Sequence, residues 1–270
     1  MQHESLFVPR RNKLIDLSIS IVSWNTRELL SDCLCSLRAA LQASPFLHAE
    51  IFVIDNGSSD GSAAMVRQAF PEVHLIANRE NLGFARATNL ALRRAQGRYV
   101  LLLNPDTRMP SSVLASLCAS LSNRPDAVAC GPFLLSGDGS PQLSWARFPG
   151  PGSEWTGDLD RSQSPYPIPD FEDAEKRALM EPFAADWIGG ACLMIRAEAV
   201  RRAGLLDEGF FFYGEETELC HRLRHVLGNE GGKILLVPSV SMTHLGGQSS
   251  RSIPSIARRH LFYSSARLYL

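Results

Sequence analysis

At 270 residues with 45% hydrophobic content, the chain is long enough to bury one large core or two intimately packed ones. Its 27 Lys and Arg balance 28 Asp and Glu, and a net charge of −1 excludes the global basic field that binds nucleic acid, so any anion has to be held locally. Six cysteines without a CxxC pair, no signal peptide and no apolar run near the ~20 residues of a membrane span give the expectation of a cytoplasmic protein with reduced thiols.

Residues 1–16, with Arg10, Arg11 and Lys13, read as a loosely held arm. Leu17 to Val22 alternates and then runs apolar, a first strand with Ser23-Trp24-Asn25 at its carboxyl end. Thr26 is placed to cap a helix whose Leu29, Leu30, Cys33, Leu34 and Leu37 recur at helical spacing. The unit repeats. Glu50 to Ile54 is a second strand, and the turn-forming run from Asp55 to Ser62 opens a helix through Phe70. A tight turn and a cap explain Gly57, Ser59 and Asp60 without a ligand. Asp55, a charge directly after an apolar strand, lies where an open α/β sheet binds ligands and where a nucleobase imide can donate to it. Val73 to Ala77 is a third strand, and Asn78 to Asn89 enters a helix ending at Gly97, with Gly83 permitting close backbone approach at its start.

Tyr99 to Leu103 is an uninterrupted apolar run, expected as an interior strand of a parallel sheet with right-handed crossovers. It ends in Asn104-Pro105-Asp106. This is turn chemistry in its own right, yet a carboxylate beyond a central strand also suits Mg²⁺ or Mn²⁺ holding a diphosphate. A helix over 111–122 and a strand over 127–135 follow. From Ser136 to Pro182 the composition turns to Pro, Gly, Ser and Asp, with Trp145, Trp155 and Tyr166 arguing for a functional loop over plain disorder. Asp186 to Ile195 reads as one strand containing Gly189-Gly190, and Arg196 to Ala203 as a short helix. The aromatic run Phe210 to Tyr213 then delivers Glu215 and Glu216 to a helix start. The helix dipole alone favours acids there, and an aromatic-walled carboxylate pair is also how a site raises a pKa enough for a general base. Lys233 to Val237 is a last strand, leading to His244. A lone histidine by itself carries no assignment.

Together, Val22-Ser-Trp-Asn25, Val53 to Asp60, Asn81-Leu-Gly-Phe84 with Asn89, Leu102 to Thr107, Trp187-Ile-Gly-Gly190 and Phe212-Tyr-Gly-Glu-Glu216 resemble the inverting glycosyltransferases of family 2, above all their rhamnosyltransferase-like members. The resemblance covers about residues 17–250. It implies a GT-A fold, a Rossmann-like and mostly parallel α/β sheet flanked by helices. A nucleotide-sugar half over 17–110 and an acceptor half over 111–250 follow from it, with the loop 136–182 and a helical tail over 251–270. It further implies that Ser23, Trp24, Asn25, Asp55, Asn81, Gly83, Asn104, Asp106 and Gly190 bind the nucleotide sugar and that Asp106 and His244 hold Mg²⁺ or Mn²⁺. Glu216 becomes the base, with Glu215 beside the acceptor. Two positions depart from the pattern: Asn104 replaces the first acid of the DxD motif, and Glu216 stands where Asp is commoner, so the acceptor sits one methylene further back.

The activity implied is inverting transfer of a sugar, rhamnose from dTDP-rhamnose first and a UDP-sugar next, to a glycan or lipid-linked acceptor in cell-surface polysaccharide synthesis. Two other readings are a sugar-phosphate nucleotidyltransferase, disfavoured by the lack of glycines from Ser23 to Arg27, and a binding module without transfer activity. Residues 256–270 interleave Arg258, Arg259 and Arg267 with Leu and aromatic residues. They are expected either to lie on the inner face of the cytoplasmic membrane or to pack on the domain or a second subunit of a homodimer.

Overall fold

The computed structural model describes residues 14–142, 144–148, 165, 168–227 and 231–246. Residues 1–13 of the arm, residues 149–164 of the aromatic loop and the tail 251–270 lie outside them. The first half alternates as the hydrophobic pattern requires: β1 (Leu17–Ser23), α1 (Arg27–Gln42), β2 (Ala49–Asp55), α2 (Ser62–Ala69), β3 (His74–Ala77), α3 (Phe84–Leu92) and β4 (Tyr99–Leu103). These four strands pair in parallel in the order β3-β2-β1-β4. α3 stops at Leu92, earlier than Gly97. A Cβ at Gly97 would lie 2.6 Å from the Ser18 nitrogen, so the chain leaves the helix early to press its backbone against β1.

The second half supplies β5 (Thr107–Arg108), α4 (Val113–Asn123), β6 (Ala127–Leu135), β7 (Pro141–Gln142), β8 (Trp145–Ala146), α5 (Ala174–Ala178), β9 (Phe183–Ala185), β10 (Trp187–Ile188), β11 (Cys192–Arg196), α6 (Ala197–Ala203), α7 (Glu215–Arg224) and β12 (Lys233–His244). β4 is interior, as expected, but only one of its neighbours is parallel: β11 runs antiparallel between β4 and β6. The main path of the sheet is β3-β2-β1-β4-β11-β6-β12-β5. The single strand expected over 186–195 is two. β10 pairs with β8 in a separate ribbon, Gly189-Gly190 breaks the chain, and β11 joins the main sheet. β12 runs unbroken through Pro238, absorbing it in a register shift between Val237 and Ser241, because proline has no N–H for the ladder.

All five residues of β4 are buried. Tyr99, Leu101 and Leu103 pack with Leu30 and Leu34 of α1 and Leu114 and Leu117 of α4, while Val100 and Leu102 pack with Ala85 of α3, Val200 of α6 and Leu219 of α7. The sheet is therefore the middle of three layers, and each buried leucine contributes about 1.5–3 kcal/mol. The parallel arrangement brings the carboxyl ends of β1, β2 and β4 to one edge, where open α/β sheets form their clefts. Among the described residues no helix is long and apolar enough to cross a membrane.

Candidate active site

The tips of β1, β2 and β3 are tied to one another by side chains. Thr26 precedes α1 but makes no capping bond; its hydroxyl pairs with the buried Ser23 hydroxyl at 2.9 Å. The Asp60 carboxylate, arriving from the neighbouring loop, accepts the Arg27 N–H instead, at 2.8 Å. Asn25 takes a left-handed conformation (φ 52°), and its side-chain oxygen accepts the Ser59 N–H at 2.8 Å. Asn56 is buried and uses both ends of its amide. It donates to the Asn81 side chain (2.8 Å) and the Gly83 carbonyl (3.2 Å), and it accepts from Asn78 (3.0 Å) and the Leu82 N–H (3.1 Å).

These tips form one wall of a cleft of about 480 Å³. Of the residues expected at the site, Trp24, Asn81, Gly83, Asn104, Asp106, Gly190, Glu215, Glu216 and His244 line it together. Ser23, Asn25 and Asp55 are not among the lining residues; they are the chain neighbours of Trp24 and Asn56, which are. Asp55 is buried, and its Oδ1 has no hydrogen-bond partner among the described residues. The sequence reading passed over Asn56, Gln142 and Ser144, which also line the cleft. A polar residue directly after a buried strand was a usable signal for Asn56. The irregular stretch around Gln142 and Ser144 offered none.

At the end of β4, Asp106 Oδ1 lies 3.3 Å from His244 Nε2, and Asn104 Nδ2 lies 3.4 Å from the same nitrogen. The pairing of β12 with β5, together with the Leu245 N–H bond to the Asp106 carbonyl (2.9 Å), fixes this meeting of distant segments. Gln142 Oε1 sits 2.6 Å from His244 Nδ1, so the ring is held with Nε2 facing the Asp106 carboxylate. Among the described residues no group of three or more His, Cys, Asp or Glu converges. Asp106 and His244 bring one carboxylate oxygen and one imidazole nitrogen to the same point, a donor set that a divalent cation completes with phosphate oxygens and water.

Opposite stands the carboxylate pair. Tyr213 (φ 72°) and Gly214 (φ 86°) are both left-handed, an unfavourable conformation for tyrosine, and they turn the chain so that α7 begins on Glu215 and Glu216 at the cleft. Glu215 is buried with its Oε2 unpartnered. Burial, and then the neighbouring Glu216 charge, push its pKa well above the usual range. Burial also raises Glu216, opposed by hydrogen bonds from its own backbone and from Gly190 and Gly214. Gly190 stands against this side chain, where a Cβ would lie 3.7 Å from that of Glu216.

The approach to α7 is latched onto α3. The Phe84 N–H bonds the Phe211 carbonyl (2.8 Å), and the buried Asn89 holds both peptide groups of Leu206, donating to its carbonyl (2.9 Å) and accepting its N–H (3.1 Å). Neither pair is adjacent in sequence.

A model of glycosyl transferase family 2 matches residues 18–196. The N-acetylglucosaminyl-diphospho-decaprenol L-rhamnosyltransferase of Mycobacterium tuberculosis is 28% identical over 76% of this chain and 69% of its own length. The hexosyltransferase Agl10 of low-salt glycan biosynthesis in Haloferax volcanii is 28% identical over 80% of this chain and 64% of its own. Among solved structures, GalNAc-T7 with UDP, GalNAc and Mn²⁺ aligns with a TM-score of 0.61 at 18% identity, covering 86% of this chain and 44% of that one. The mannosyltransferase PcManGT of Pyrobaculum calidifontis, with GDP-Man and Mn²⁺, aligns at 0.59 and 17%, covering 88% and 58%. This chain therefore spans about half the length of these two structures, and their likeness establishes the shared fold. With the family model matching two thirds of the chain, from β1 through β11, this chain belongs to glycosyl transferase family 2.

Proposed function

We propose that the enzyme is a metal-assisted, inverting glycosyltransferase that moves a sugar from a nucleoside-diphosphate donor to a hydroxyl of a glycan or lipid-linked acceptor. The observation that carries the reading is the convergence of Asp106, His244 and Glu216, from three distant parts of the chain, on one cleft. The 28% identity to an L-rhamnosyltransferase supports dTDP-rhamnose as first donor to test, with UDP-sugars next. A lipid-linked acceptor would bring the enzyme to the inner face of the cytoplasmic membrane, with residues 256–270 as the contact.

In this mechanism residues 17–110 hold the donor and residues 111–250 the acceptor. Trp24, Asn81 and Gly83 line the nucleotide's side of the cleft, with Ser23 and Asn25 shaping the loop and Asp55 accepting from the base. Asp106 and His244, with Asn104 beside them, would hold the cation. A divalent ion bound there offsets the charge of the departing diphosphate. Glu216 takes the proton of the acceptor hydroxyl, whose oxygen attacks the anomeric carbon opposite the diphosphate. The bond to the diphosphate breaks and the configuration inverts. A raised pKa makes Glu216 a stronger base near neutral pH, and a protonated Glu215 beside it keeps the pair from carrying two negative charges.

The test is nucleotide release and product analysis with a donor panel, with and without Mn²⁺ or Mg²⁺, with the anomeric configuration of the product read by NMR. Glu216→Gln is expected to lower kcat by about 10²–10⁴-fold while donor binding holds within a few-fold. Retained transfer in that variant would remove Glu216 as the base, and a retained anomeric configuration would refute inversion.

A further inference from the structure

Gln142 lines the cleft from β7, in the stretch of the chain where the composition turns irregular. β6 decides where it stands. Leu134 of β6 pairs with Gln142 on one flank and with Met242 of β12 on the other. His244 lies two residues beyond Met242 and so shares its face of the strand. Gln142 and His244 are thus hung from one common strand, and their side chains meet at 2.6 Å, Gln142 Oε1 to His244 Nδ1.

Both ends of the Gln142 amide are placed. Gly246 (φ +67°) passes beside its nitrogen, where a Cβ would lie 3.2 Å from Nε2, so a side chain at 246 would crowd the amide. With the nitrogen against that backbone, the oxygen is the end left for the imidazole. The far side of the ring gives a second observation. Asn104 Nδ2, a group that only donates, lies 3.4 Å from His244 Nε2. An acceptor at Nδ1 and a donor at Nε2 call for one arrangement of the ring, with the proton on Nδ1 and the lone pair on Nε2. Asp106 Oδ1, 3.3 Å from Nε2, would by itself suit the opposite arrangement. The Gln142 contact is the shortest of the three, and it decides between them.

We infer that Gln142 is a positioning residue: its amide oxygen accepts a hydrogen bond from His244 Nδ1–H and so presents the Nε2 lone pair to the cation that His244 and Asp106 would share. A histidine that ligates a metal commonly donates its other N–H to such a partner, and loss of the partner weakens metal binding about 10–100-fold. The inference rests on the cation reading of Asp106 and His244 in the mechanism above, and it adds a residue that acts through His244.

Two readouts test it in the full chain, the first without any metal. Long-range ¹H–¹⁵N correlation of the imidazole at about pH 8.5, above the ordinary histidine range, reports which nitrogen of His244 carries the proton. Nδ1–H is expected in the wild type. Its population should move to Nε2–H in Gln142→Met, which keeps the bulk of the side chain and removes the acceptor. The second readout is Mn²⁺ binding with dTDP or UDP present, followed by the electron paramagnetic resonance of free Mn²⁺. Gln142→Met should weaken it about 10–100-fold, and Gln142→Glu, which restores an acceptor oxygen, should return it to the wild-type level or above. A wild-type ring protonated on Nε2 overturns the inference. So does an affinity lost equally in Gln142→Met and Gln142→Glu, the pattern of a residue that only supports the fold. Absence of Mn²⁺ binding by the wild type overturns the cation reading itself, and the inference falls with it; binding that Gln142→Met leaves unaltered overturns the inference alone.

Discussion

Glu215 carries the largest electrostatic consequence in the cleft. Its carboxyl is buried, one oxygen has no hydrogen-bond partner among the described residues, and a second carboxylate follows it in the chain, so the folded protein holds its proton more tightly than the unfolded chain. The sign follows from that. With a folded pKa above the unfolded value near 4.5, the stabilising contribution is complete below that value and disappears as the pH rises through the raised one. The unliganded protein should therefore lose melting temperature as the pH rises above about 4.5, in part through this residue. Glu215→Gln should flatten that slope in thermal melts across the same range, and parallel curves for the two proteins would show that Glu215 is ionised when folded. Residue identity alone marked Asp106 and the Glu215-Glu216 pair as candidates. His244 entered only through the family resemblance, because nothing adjacent to it in the sequence reveals that it faces Asp106.

At the scale of elements, the cleft depends on how the aromatic approach to α7 is held against the start of α3. Gly83 has φ +82°, and a Cβ there would meet the Phe211 carbonyl oxygen at 2.7 Å. Gly83→Ala should therefore cost roughly 1–3 kcal/mol in urea unfolding, from the left-handed conformation and from the contact it forces. It should also lower kcat by displacing the carboxylate pair. A variant as stable and as active as the wild type would mean that the two halves are not latched there. The strand breaks teach the same lesson. Gly189-Gly190 divides an apolar run that reads as one strand, since Gly189 bonds the Ser144 carbonyl while the next residue serves Glu216. Pro238 fails to end β12 because the partner strand β6 tolerates a register shift. Local propensity places both features near a boundary, and the pairing partners decide whether the boundary is used.

Across the whole molecule, one strand is clamped between two helical layers, and this has a measurable signature. Leu101 and Leu102 point to opposite faces, yet both are fully buried, so truncating either to alanine should cost about 2–5 kcal/mol in urea unfolding. A sheet with one solvated face would make one of the two substitutions cheap. The uninterrupted apolar run from Tyr99 to Leu103 already implied burial on both sides, and the alternation of strands with helices implied the α/β class. The sequence by itself determined the order of the elements in the first half, the buried interior strand and the acidic residues at loop tips, because these follow from local periodicity and turn chemistry. Only the tertiary structure decided that β11 runs antiparallel beside β4 and that Gln142 orients His244 toward Asp106. Those outcomes depend on backbone pairing between segments far apart in the chain, and periodicity carries no information about which distant strand will provide the partner.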